Sequence, residues 1–351
     1  MFIKFTCVVA LLCILSGNAF AAASAVKYKN DFAFLTKSFH RDLERSLVMY
    51  KSVEKHFNAK VPFYLVVPRE DLPNFLKLYN NSLKNNEISQ VPTFITEEEV
   101  LQKCHIPQAK INHLKAKPRS GWLIQQVIKF CFHSTNLAKD YMSIDSDIYF
   151  TRNFTKEMLY HDSTLKTVGR ILGNGSESSG QKKFNKVKKL GNVDPEQAYR
   201  YQSHSFIRYI FKGGLDPWYD FVSGFALWSS DILYQMGSYI KAELDYDFAD
   251  LINLVPWEMQ WYGQFVMSQN QGKFHLFKSN FVTGIADQKE EEKFIHCTPT
   301  QGYPGTYGIQ YQPHAVGRKD LVYTAPNTAK CKVKNFFRSA GYKIKSVFVK
   351  D

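Results

Sequence analysis

Tyr141-Met142-Ser143-Ile144-Asp145-Ser146-Asp147-Ile148-Tyr149-Phe150 is a largely apolar run interrupted by two carboxylates one residue apart. Tyr141 to Ile144 reads as a short buried strand that ends where Asp145-Ser146-Asp147 begins. Upstream, Gly121 to Phe132 reads as a helix with Leu123, Val127, Phe130 and Cys131 on one face. Residues 102–119 are mixed and basic and read as loop. Earlier still, Thr93 to Thr96 reads as a strand, Glu70 to Tyr79 as a short helix after Pro68, and Val61 to Val67 as a strand. Phe39, Leu43, Leu47 and Tyr50 recur at helical spacing after Asp31 to Thr36, a first buried strand. Strands and helices thus alternate, which predicts an α/β fold: a mostly parallel sheet covered by helices. Ligands bind beyond the carboxyl ends of such strands, where the strand order reverses. The acidic pair falls at such an end.

Two carboxylates at a strand end suit a hard divalent cation, Mn²⁺ or Mg²⁺, which takes oxygen ligands. Such a cation offsets the charge that develops when a sugar–diphosphate bond breaks. The plain alternative is a strand end with two solvated acids. A phosphatase of the haloacid-dehalogenase type also ends a strand in D-x-D, usually its first, with Thr or Val two residues after the second Asp. Here Tyr149 holds that place, and the first strand is Asp31 to Thr36. That reading is disfavoured.

Four blocks, Asp31-Phe32-Ala33-Phe34-Leu35-Thr36-Lys37-Ser38-Phe39, Val61-Pro62-Phe63-Tyr64-Leu65-Val66-Val67-Pro68, Gly121-Trp122-Leu123-Ile124-Gln125-Gln126-Val127-Ile128-Lys129 and Ser143-Ile144-Asp145-Ser146-Asp147-Ile148-Tyr149-Phe150, stand in succession. Phe221-Val222-Ser223-Gly224-Phe225-Ala226-Leu227-Trp228 and Pro256-Trp257-Glu258-Met259-Gln260-Trp261-Tyr262-Gly263 follow. Together they resemble a bacterial glycosyltransferase-like family related to the GT-A nucleotide-sugar transferases. The resemblance covers residues 31 to about 265. It implies a GT-A-like fold with an irregular C-terminal tail, a nucleotide-sugar donor, and a Mn²⁺ or Mg²⁺ ion held by Asp145 and Asp147. Donor and acceptor stay open; a glycan, lipid or protein hydroxyl is the expected acceptor class. The loop 173–190 departs from the family pattern.

Gln125, Gln126 and Lys129 lie on the helix before the acidic strand, where lysine can meet phosphate and glutamine a sugar or base. An exposed polar helix face accounts for them equally. Ser223-Gly224 sits in an apolar run read as strand, where glycine permits close approach of a ligand or forms a bulge. In the resemblance this block borders the sugar pocket. Glu258 stands among Trp257, Trp261 and Tyr262. A carboxylate in that company has a raised pKa and can act as a general base, and such aromatics stack on sugar rings. The alternative is a helix N-terminal acid favoured by the dipole. Some retaining GT-A enzymes take a third metal ligand from a late histidine; His296 and His314 are the candidates here, against a plain structural role.

Composition sets the outer bounds. Hydrophobic residues are 44% and charged residues 22% of the 351, which excludes disorder, collagen and coiled coil. Lys and Arg number 45 against 32 Asp and Glu, giving 45 − 32 = +13. That excess points to an anionic partner. No zinc finger, RNP-like strand or helix-turn-helix pattern marks nucleic acid as that partner. Five lysines cluster between Lys182 and Lys189 within 169–195, read as a mobile basic loop. Residues 294–351 read as an irregular tail.

Lys4 is the only charged residue among the first 26, and an apolar run from Phe5 to Leu15 leads to small residues ending in Ala21, Ala23 or Ala25. This describes a cleaved signal peptide over residues 1–25, followed by a single catalytic domain over 26–351 with no transmembrane segment. Export to a periplasm, exterior or lumen is the expectation. Beyond the leader, Cys104, Cys131, Cys297 and Cys331 allow three disulfide pairings, or Cys131 is simply buried.

Overall fold

All six residues of the first strand, β1 (Phe32–Lys37), are buried. A strand buried on both faces needs cover on both, and the rest of the chain supplies it. The computed structural model describes residues 26–173, 204–212, 218–269, 274–278, 281–285 and 307–311. After β1 come α1 (Leu43–His56), β2 (Phe63–Val67), α2 (Leu72–Lys84), β3 (Thr93–Thr96), α3 (Glu97–Lys103), α4 (Gln108–Lys115), α5 (Ser120–Cys131), β4 (Asp140–Ile144) and β5 (Ile148–Phe150). A short hairpin, β6 (Tyr160–His161) and β7 (Thr164–Leu165), leads to β8 (Thr167–Gly173). Then follow β9 (Trp218–Asp220), β10 (Phe225–Ser229), α6 (Ser230–Leu244), α7 (Phe248–Leu254), α8 (Glu258–Gln269), β11 (Leu276–Lys278), β12 (Val282–Ile285) and β13 (Gly308–Tyr311).

The central sheet has the order β10-β4-β1-β2-β3. β4, β1, β2 and β3 are parallel, and β10 joins β4 antiparallel. The fold is therefore α/β with a mostly parallel sheet, as the alternation of elements predicts. Chain order runs one way from β1 to β3 and jumps the other way to β4. The gap between the carboxyl ends of β1 and β4 is a point of reversal, where this architecture leaves a crevice.

Successive side chains of each strand feed different cores. Ala33, Leu35, Tyr64, Val66, Tyr141, Ala226 and Trp228 pack with Ile111, Val127, Leu233, Ile252 and Trp261 from the helices. Phe32, Phe34, Phe63, Leu65, Met142, Ile144, Phe225 and Leu227 pack on the other side with Tyr50, Phe75, Ile148 and Phe281.

Three readings of the sequence change. Residues 102–119 contain α4 and the end of α3, not a loop. The helix α3 is signalled by a capping box in which the Thr96 side chain meets the Glu99 backbone and Glu99 the Thr96 backbone. In α4, Ile111 and Leu114 are buried, three positions apart on one face. Residues 169–173 are strand rather than the start of a loop. Within the expected irregular tail, Gly308–Tyr311 is a strand, parallel to β12 and antiparallel to β5. At four residues, with alternation only across Ile309, Gln310 and Tyr311, the tail strand is too short to be fixed by its own sequence and takes its register from its partners. The expected leader 1–25, the lysine cluster 182–189, Cys297 and Cys331 lie outside the described residues.

Candidate active site

Asp145 follows β4 directly, at the reversal of strand order. Its backbone N–H donates to Gly224 O at 3.3 Å, which ties the turn to the residue preceding β10. Asp145 Oδ1 accepts from two side chains of α5: Lys129 Nζ at 2.9 Å and Gln125 Nε2 at 3.0 Å. Gln125 and Lys129 are four residues apart and so share a helix face. Lys129 is 2% exposed, and its ammonium also meets Glu258 Oε1 at 3.2 Å. Glu258 is itself 4% exposed and is the first residue of α8. One lysine thus joins two carboxylates from elements 113 residues apart in the chain, 258 − 145.

The charges respond to this packing. Burial alone pulls the Lys129 ammonium down, but the Asp145 and Glu258 carboxylates outweigh it and hold its pKa above the ordinary lysine range. Burial raises Glu258, and Lys129 offsets part of that rise. Burial of the carboxyl group, then the charge of Asp145, pushes Asp147 up to about 8. Asp147 therefore sits buried beside a second carboxylate, while Lys129 is shared between Asp145 and Glu258.

Gln310 was missed by sequence reasoning. Its Nε2 lies 3.3 Å from Asp147 Oδ1 and 3.4 Å from Asp145 Oδ2. It arrives through the pairing of β13 with β5, which sets Gln310 opposite Ile148, the residue after Asp147. No local signal announces it, because the pairing spans more than 160 residues.

The other expected residues fall as follows. Gln126 is 2% exposed and donates to Trp122 O one turn back, so it faces its own helix rather than the acidic pair. Ser223 and Gly224 precede β10 instead of lying within it, and Ser223 N–H reaches Met259 Sδ at 3.3 Å. The α8 residue Gln260 holds the same segment, accepting from Phe221 N–H at 3.1 Å and donating to Tyr219 O at 3.3 Å. Trp261 and Tyr262 are core residues, bonded to Val255 O and to Ser229 N–H, and offer no surface for a sugar. Trp257 is half-buried and packs edge-on against Trp122 at 5.4 Å. His296 and His314 lie outside the described residues.

Among the described residues no three His, Cys, Asp or Glu side chains gather as a metal-binding group. The donors that do converge, Asp145 Oδ2, Asp147 Oδ1 and the Gln310 amide, can all present oxygen, which fits a hard divalent cation. Among the described residues no helix is long and apolar enough to cross a membrane.

Residues 33–178 match a family of unknown function (DUF6492), a span running from β1 past the acidic pair. No curated protein matches the chain. Among solved structures, mouse xyloside xylosyltransferase 1 in its apo form is similar with a TM-score of 0.42 and 9% identity, covering 80% of this chain and 97% of its own. The galactosyltransferase LgtC in complex with donor and acceptor sugar analogs gives a TM-score of 0.40 at 12% identity, over 80% of this chain and 86% of its own. An active-site mutant of LgtC gives 0.42 at 10%, with the same coverage.

Proposed function

We propose that the chain is an exported, metal-dependent glycosyltransferase that moves a sugar from a nucleotide-sugar donor to a hydroxyl of a glycan, lipid or protein. The observation that carries this reading is the acidic pair at the carboxyl end of β4, set at the reversal of strand order and backed by Lys129 and Gln125. A donor of this class leaves as a nucleoside diphosphate, so the site must accommodate negative charge on the departing group. Asp145 and Asp147 hold the cation, Mn²⁺ or Mg²⁺, and that cation supplies charge stabilisation to a diphosphate without a proton. Lys129 pairs with Asp145 and holds it in place, and Gln125 orients the same carboxylate. Gly224 places its carbonyl on Asp145 N–H.

Export is supported by the leader-like residues 1–25 and by the disulfide joining Cys104 to Cys131, since such bonds persist in oxidising compartments. A second reading, a catalytically silent sugar- or nucleotide-binding module, is favoured by one feature. Glu258, the candidate general base, is 4% exposed and paired with Lys129, so an acceptor hydroxyl reaches it only if α8 shifts. As placed, Glu258 serves as the charge partner of Lys129.

A thermal-shift and hydrolysis screen of nucleotide sugars with and without Mn²⁺ separates the readings. Mn²⁺-dependent binding and turnover, both lost in Asp145→Ala and Asp147→Ala, are expected. Binding unchanged in the two variants sinks the metal-donor assignment. Binding without turnover, even with acceptors present, leaves the silent module.

A further inference from the structure

Gln310 reaches into the acidic pair from a part of the chain that sequence reading leaves irregular. Its amide nitrogen contacts one oxygen of each carboxylate, Asp147 Oδ1 at 3.3 Å and Asp145 Oδ2 at 3.4 Å. The remaining oxygen of Asp145 is committed to Lys129 and Gln125. The pair therefore has one side held by α5 and another met by a single neutral amide. A glutamine amide carries two donors on nitrogen and an acceptor oxygen, exchanged in position by rotation about its last bond. Its nitrogen satisfies the bare carboxylates; its oxygen is a ligand for a hard cation.

The place of this amide is built by three separate features. Pairing of β13 with β5 sets Gln310 opposite Ile148, next to Asp147. Gly224 leaves room for it, since a Cβ there would lie 2.7 Å from Gln310 Cδ and closer still to Oε1. The same Gly224 anchors Asp145 through its carbonyl. Glycine before β10 thus admits no ligand directly; the close approach it permits is that of Gln310.

We propose that Gln310 is the third protein ligand of the divalent cation, giving its amide oxygen beside Asp145 Oδ2 and Asp147 Oδ1, and that Gly224 lacks a side chain in order to seat it. This assignment rests on the metal-dependent reading above. A set of two carboxylates and one amide is all oxygen, so it favours Mg²⁺ or Mn²⁺ over softer ions such as Zn²⁺. It gives the third position to Gln310 in place of a late histidine.

Mn²⁺ titrated into the purified chain, followed by the loss of the free-ion paramagnetic resonance signal with and without inorganic pyrophosphate, tests the assignment. Gln310→Leu is expected to weaken Mn²⁺ binding at least tenfold, and Gln310→Glu, which keeps an oxygen donor, to retain it. Gly224→Ala is expected to weaken it as Gln310→Leu does, because the added methyl displaces the end of the flexible Gln310 side chain and asks Ile148 Cδ1, at 3.0 Å, to give by only a few tenths of an ångström. Wild-type binding with Gln310→Leu and Gly224→Ala unaffected overturns the role of Gln310 and leaves the metal reading intact. No uptake by the wild type overturns both. Should Gln310→Leu fail to fold by circular dichroism, the comparison of Gly224→Ala with Gln310→Glu decides.

Discussion

Lys129 sets the charge balance of the site. Its ammonium is the shared partner of Asp145 and Glu258, and all three come from different elements. Removing one member of a buried ion pair leaves an uncompensated charge, which costs about 3–5 kcal/mol. Lys129→Met should therefore destabilise the chain by about that amount, read from urea unfolding. The double variant Lys129→Met/Glu258→Gln should recover part of the loss, because it no longer strands a buried carboxylate. Losses that simply add would show that Lys129 and Glu258 do not depend on each other. Sequence reading selected both residues and the acidic pair: Lys129 on the helix before the acidic strand, Glu258 as the carboxylate among aromatics, and Asp145 and Asp147 at a strand end. It gave them separate tasks, phosphate contact and general base. That Lys129 and Glu258 meet, 129 residues apart, depends on how α8 docks against α5 and has no trace in local spacing.

At the level of elements, α8 is the part that holds the site from behind. Nine consecutive residues, Glu258 to Val266, are buried, so the helix is enclosed on all sides rather than amphipathic. Its side chains Met259 and Gln260 bind the backbone of 219–223, the segment that leads to Gly224. Gly263 lets that segment approach, because a Cβ there would lie no more than 2.5 Å from three atoms of the Phe221 ring. Two effects compete in Gly263→Ala. Helix propensity favours alanine by about 1 kcal/mol, whereas overpacking a rigid aromatic in a buried position costs about 1–3 kcal/mol. Overpacking should win, with a net loss of up to about 2 kcal/mol in denaturant unfolding. A gain in stability would mean that Phe221 has room to retreat. Elements with strong internal signals, β1, β2, β4 and α5, were legible from sequence, and so was the mostly parallel character of the sheet. The helix α3 is legible too, through the capping box of Thr96 and Glu99. β13 was not, because a four-residue strand takes its register from β5 and β12 rather than from its own residues.

Among the described residues the central sheet lies between two separate cores, and a covalent tie secures one of its faces. The face that carries α5 has a covalent tie, the Cys104–Cys131 disulfide, with Cα atoms 5.3 Å apart and a sequence separation of 27. It fastens the end of α3 to the end of α5, the helix that presents Gln125 and Lys129 to Asp145. Sequence alone left three pairings open, since spacing does not say which cysteines the helices bring together. Closing a loop of that length removes conformational freedom from the unfolded chain worth about 3.5 kcal/mol. The Cys104→Ala/Cys131→Ala variant should lose about that much, with a further contribution from the cavity left at Cys131, which is fully buried. Dithiothreitol should lower the wild-type unfolding midpoint toward that of the variant and leave the variant unmoved. Because Lys129 lies two residues from Cys131 on α5, loosening this tie should also weaken Mn²⁺ uptake while Asp145 and Asp147 stay in place. A variant as stable as the wild type, with the wild type indifferent to reductant, would show that packing alone holds α5 against the sheet.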